Sequence, residues 1–107
     1  MKPTFWRDPR GHWSVCDGPG PLNVAGYIFQ RPDNTWAVEG DELNRVFLDQ
    51  LTAASTVLRQ ELPAGVQYYE LKRQDETAFV ATYPEVLDSI RAEGWSVVAG
   101  SRQLSSK

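Results

Sequence analysis

Apolar and polar positions repeat in a short block near the start of the chain. Phe5-Trp6-Arg7-Asp8-Pro9-Arg10-Gly11-His12-Trp13-Ser14-Val15 aligns with Ile28-Phe29-Gln30-Arg31-Pro32-Asp33-Asn34-Thr35-Trp36-Ala37-Val38 at a constant offset of 23 residues. Each block reads as an apolar pair, two polar residues, Pro, a polar residue, Gly or Asn, a polar residue, Trp, a small residue and Val. This is the pattern of a β-hairpin. Pro sets φ for the second position of a type I turn. Gly11 and Asn34 then fall where a left-handed residue forms a bulge after the turn.

Register decides which side chains share a face. The bulged turn pairs Asp8 with His12, Arg7 with Trp13 and Phe5 with Val15. One face of the first hairpin then carries Phe5, Arg7, Trp13 and Val15, and the other Trp6, His12, Ser14 and Cys16. In the second hairpin Ile28, Gln30, Trp36 and Val38 share one face, and Tyr27, Phe29, Arg31, Ala37 and Glu39 the other. A two-residue loop would instead set Trp6 against Trp13 and Phe29 against Trp36, exchanging every face. The turn residues favour the bulge. In either register both faces carry large apolar groups, unlike a sheet with one solvated side. The second face therefore calls for a helix, another chain or a ligand.

Cys16 to Gly26, with Asp17-Gly18-Pro19-Gly20-Pro21, reads as a loop, because Pro lacks a ladder donor and Gly loses entropy. It lacks the Lys-Ser/Thr and the helix of a phosphate-binding loop. Leu43, Val46, Phe47, Leu51, Ala54, Val57, Leu58 and Leu62 recur at three- and four-residue spacing and predict a helix from Asp41 to Leu62. Asp41 would cap it, and Pro63 and Gly65 would stop it. Such a helix would run about 30 Å. Leu48 lies off its apolar stripe. Val66 to Lys72 and Thr77 to Thr82 read as a third hairpin around Arg73-Gln74-Asp75-Glu76. Tyr83 to Glu93 reads as a short helix with Pro84 in its first turn and Gly94 as its stop. Trp95 to Ala99 reads as a final strand, able to pair in parallel through a crossover.

The order implies an α+β fold: a mainly antiparallel sheet of about five to seven strands built from hairpins, with one long and one short helix packed on one face. The 107 residues fit one domain, 1–100, followed by a flexible tail, 101–107. The 41% hydrophobic and 23% charged composition is globular. One Cys and one His exclude an internal disulfide framework and the usual zinc sites. Neither a signal peptide nor an 18-residue apolar run is visible, so no membrane contact and a cytoplasmic location are expected.

The candidate chemistry is thin. His12 and Cys16 share a face but stand about 13 Å apart along a strand, too far to pair as base and nucleophile. Asp41-Glu42 reads as a helix start and Asp75-Glu76 as a turn. No enzyme activity, cofactor or metal is expected. Trp6, Arg7, Arg10, His12 and Trp13 interleave cations with aromatics, which suits nucleic acid. The net charge of −3 and the eleven acidic residues in 36–107 weigh against it. Trp, Tyr and Arg also anchor protein interfaces. The expected role is a non-enzymatic protein-interaction or regulatory module that binds a partner or itself, as a homodimer, through an aromatic hairpin surface. Its candidate binding residues are Trp6, Arg7, Arg10, His12, Tyr27, Phe29 and Arg31. Nucleic-acid binding and small-ligand binding stand as the alternatives. Trp13, Trp36 and Trp95 read as structural, and Trp6 as the tryptophan free for function.

Overall fold

The two hairpins form as the bulged register requires. The structure, a computed structural model, describes residues 3–18, 23–59 and 62–101. Strand β1 (Pro3–Arg7) pairs antiparallel with β2 (Trp13–Asp17), with Phe5 opposite Val15 and Arg7 opposite Trp13. Asp8 N donates to His12 O (2.8 Å) and Gly11 N to Asp8 O (3.0 Å). Gly11 has φ +84°, the left-handed conformation that a bulge after a type I turn demands. The second hairpin, β3 (Val24–Gln30) and β4 (Trp36–Val38), repeats this with Asn34 at φ +71°. Strand β3 also pairs with β2, through a bulge beside Cys16, so the first sheet runs β1-β2-β3-β4. Strand β2 extends to Asp17 and β3 begins at Val24, so the loop read from Cys16 to Gly26 is shorter than expected.

In place of the single sheet of five to seven strands expected, the strands divide four and three: the second sheet contains β5 (Gln67–Arg73), β6 (Glu76–Thr82) and β7 (Ser96–Ser101) in the order β6-β5-β7. The pairings of β5 with β6 and of β5 with β7 are both antiparallel, so the last strand does not enter in parallel. Ser101, assigned to the tail, is part of β7; residues 102–107 lie outside the described residues.

The long helix read from Asp41 to Leu62 is not formed. Helix α1 covers only Gln50–Leu58, capped by Asp49, which accepts from Thr52 N (2.7 Å). Asp41 caps a tight turn instead. Its carboxylate accepts from Leu43 N and Arg45 N, and Arg45 Nε lies 3.1 Å from it. Asn44 then takes φ +51°, which a helix interior does not allow. The following residues run extended, and Phe47 joins the two sheets. Phe47 N donates to Trp36 O (2.9 Å) and Trp36 N to Phe47 O (2.7 Å). On the other side Leu48 N donates to Phe79 O and Phe79 N to Val46 O. Alternation along this segment sends Phe47 to one face and Val46 and Leu48 to the other. At its far end α1 stops at Arg59, which has φ +54°.

This alternation also separates the helices, which the sequence placed on one face. Helix α1 closes a core of Val15, Ile28, Phe47, Ala53 and Ala54, with Phe79 against it. Pro84–Val86 forms a 3₁₀ turn leading into α2 (Leu87–Ala92). Helix α2 brings Leu87 and Ile90 to a core of Tyr69, Leu71, Ala78, Val80 and Trp95, joined by Val46 and Leu48. Phe79 and Val80 are neighbours on one strand and point to opposite faces. The helices therefore lie on opposite sides of the joined sheets.

Candidate functional site

Two surfaces of the first sheet are left open, one on each face. On the outer face the rows run across the strands as Trp6–Ser14–Tyr27 and His12–Phe29–Ala37. Trp6 is 45% exposed and Tyr27 37% exposed. Ser14 lies between them as the small floor of a shallow notch, whose walls stand about 10 Å apart, two strand spacings. His12 stacks on Phe29 with ring centroids 5.1 Å apart. Helix α1 packs on the opposite face, and α2 packs on the second sheet.

A polar cluster borders this aromatic plate at the hairpin tip. His12 Nδ1 donates to Glu39 Oε2 (2.9 Å), and Arg10 lies 3.6 Å from the same oxygen. Arg10 also pairs with Asp8 at 3.1 Å and stands over the Tyr27 ring, 5.7 Å from its centroid. Desolvation acts to raise the Asp8 pKa. The Arg10 side chain and the N–H groups of His12 and Arg10 outweigh it and hold the carboxyl below the usual value. The cluster ties the first turn to β4 and lies on the surface, so its contribution to stability is small.

The inner face opens at the same end of the sheet. There Phe5, Arg7, Trp13, Gln30, Trp36 and Gln50 line a cleft of about 410 Å³, with Gly11 at its rim. The cleft exists because α1 begins only at Gln50 and runs towards Gly26, where Val57 meets the strand. Its nine residues span about 14 Å, leaving the hairpin-tip end of the inner face uncovered. Both Trp13 and Trp36, the equivalent tryptophans of the repeat, are half-buried here.

The seven residues singled out from the sequence thus divide. Trp6, Arg10, His12, Tyr27 and Phe29 lie together on the outer face. Arg7 is on the inner face, its guanidinium 5.9 Å from the Trp13 ring centroid. Arg31 extends along the second turn, where its Nη1 donates to Trp36 O (3.3 Å). The sequence pattern marks Trp36 as structural and gives no sign of Gln30 or Gln50. A helix extending through Asp41–Leu62 buries that region, so only the left-handed potential of Asn44 could have exposed it. Cys16 is fully buried. Among the described residues no group of three His, Cys, Asp or Glu side chains could hold a metal. No helix there is long and apolar enough to cross a membrane. Compared with known families, curated proteins and solved structures, the chain matches none.

Proposed function

We propose that this protein is a non-enzymatic interaction module that associates with a second copy of itself through the outer face of its first sheet. The supporting observation is the row Trp6–Ser14–Tyr27: two exposed aromatic rings flank a small residue, and among the described residues no helix packs on them. Trp and Tyr in a central, desolvated position are the residues that dominate binding energy. A shallow notch with raised aromatic walls suits an isologous contact, in which the ring of one copy fills the notch of the other. The bordering Asp8, Arg10 and Glu39 carry both signs of charge, as a self-complementary rim requires.

The test is the mass in solution. Sedimentation of the wild type should show a monomer–dimer equilibrium with a Kd of about 1–100 μM, or about 5–8 kcal/mol. The double variant Trp6→Ser, Tyr27→Ser should sediment as a monomer while remaining folded by circular dichroism. A wild type that stays monomeric at about 1 mM overturns the proposal. So does a double variant that dimerises as well as the wild type.

A further inference from the structure

The inner cleft is independent of the outer face and has a different chemistry. Phe5, Trp13 and Trp36 supply its flat apolar walls. Arg7, Gln30 and Gln50 supply its polar groups, and none of the three makes a side-chain hydrogen bond or ion pair with another described residue. Most other described arginines are engaged: Arg10, Arg45, Arg73 and Arg91 with carboxylates and Arg31 with a carbonyl. Among the described residues no carboxylate lines the cleft.

From this combination we infer that the cleft binds a nucleotide. The base stacks on the Trp36 ring, an interaction that tolerates any base because each has a π-face. Gln30 and Gln50 each present two N–H donors and a carbonyl acceptor, the pairing that suits a base edge. Arg7, held over Trp13, offers a planar fork of donors to the phosphate. The volume of about 410 Å³ falls within the range of small-molecule sites, about 300–1,000 Å³, and suits one nucleotide. The same chemistry is offered by a free mononucleotide and by an unpaired nucleotide of a single strand. The net charge of −3 gives a long polyanion little additional attraction.

The experiment follows the indole N–H signals of the ¹⁵N-labelled chain during titration with AMP, adenosine, ribose 5-phosphate and a short oligo(dA). AMP should shift the Trp13 and Trp36 signals with a Kd of about 1 mM and leave Trp6 and Trp95 in place. Adenosine should bind several-fold more weakly, and ribose 5-phosphate should not shift either signal. Arg7→Gln, at an exposed position, should reduce AMP to the level of adenosine with Tm unchanged. An oligonucleotide that binds tenfold more tightly per site than AMP identifies a strand as the source; equal or weaker binding identifies the free nucleotide. The inference fails if AMP and oligo(dA) leave both signals unmoved at about 10 mM. It also fails if ribose 5-phosphate shifts them as AMP does, or if Arg7→Gln binds AMP as the wild type does. None of these outcomes depends on the oligomeric state.

Discussion

Helix α1 meets the sheet at a glycine, and adding one carbon there tests the packing directly. A Cβ placed on Gly26 would lie 2.8 Å from Val57 Cγ1, with Val57 Cγ2 at 3.7 Å and Cβ at 3.8 Å. Ordinary carbon contacts are about 3.5–4.0 Å, so one methyl overlaps by most of an ångström while the others are comfortable. Val57 cannot easily rotate away, because a β-branched residue in a helix has one strongly preferred χ1. The helix must lift or the rotamer must strain, and overpacking of this kind costs about 1–3 kcal/mol. Gly26 has no left-handed φ, so alanine also restricts the unfolded chain, a gain of about 0.4–1 kcal/mol. Gly26→Ala should therefore destabilise by about 1–2 kcal/mol, lowering Tm by about 4–8 °C per kcal/mol. Val57→Ala alone should also destabilise, by about 1–2 kcal/mol of lost burial. The double variant should be less destabilised than the sum, with a coupling of about 1 kcal/mol. Urea titrations of the four proteins measure this cycle. Additivity within about 0.5 kcal/mol, or a Gly26→Ala chain as stable as the wild type, would refute the close approach.

Four further substitutions probe the elements that shape the two open surfaces. Phe47→Ala removes a fully buried ring at the junction of the sheets, 6.2 Å from the Phe79 centroid; it should cost about 3–5 kcal/mol, read as a Tm drop of more than about 12 °C. Asn34→Gly and Gly11→Ala act on equivalent bulge positions at φ +71° and +84°; the first should be neutral or slightly stabilising, and the second should cost about 1–2 kcal/mol by urea unfolding. Asp41→Asn should destabilise by about 1–3 kcal/mol. Burial acts to raise the Asp41 pKa, but the side chain of Arg45 and the N–H groups of Arg45 and Leu43 outweigh it and hold the pKa below 3.8. This stabilisation is present above the unfolded-state pKa and lost as pH falls through the lower folded-state pKa, so the gap between wild type and Asp41→Asn should begin to narrow below about pH 4 and close only at still lower pH.

The hairpins were legible because their chemistry is local. Pro9 with Gly11, and Pro32 with Asn34, fix turn type, and turn type fixes register. Register then separates Trp6, Tyr27 and Phe29 from Trp13 and Trp36. The helix was misread because Leu43, Val46, Phe47 and Leu51 satisfy helical spacing without sharing a core. Leu43 is 45% exposed and Leu51 61% exposed, while Phe47 is fully buried. Val46-Phe47-Leu48 is also a three-residue apolar run, and period alone does not distinguish a buried strand from a helix. The deciding interactions, with Trp36 and Phe79, come from residues far away in the chain. The placement of the two helices on opposite faces follows from the same segment and was equally hidden.

That one departure from helical structure accounts for both open surfaces. Extending residues 45–48 spends chain length on joining the sheets, so α1 starts late and leaves the ends of Trp13 and Trp36 uncovered within the cleft. The same extension sends Val46 and Leu48 to the face opposite Phe47. There they complete the core beneath α2 and fix that helix over the second sheet. With α1 on the inner face and α2 committed to β5 and β6, neither helix covers the outer face of β1–β4. Trp6 and Tyr27 are thus exposed, and Trp13 and Trp36 half-exposed, because of how residues 45–48 run rather than through any local feature of their own. A variant that restored helix across this segment would be expected to lose the cleft and to detach α2 from its core together.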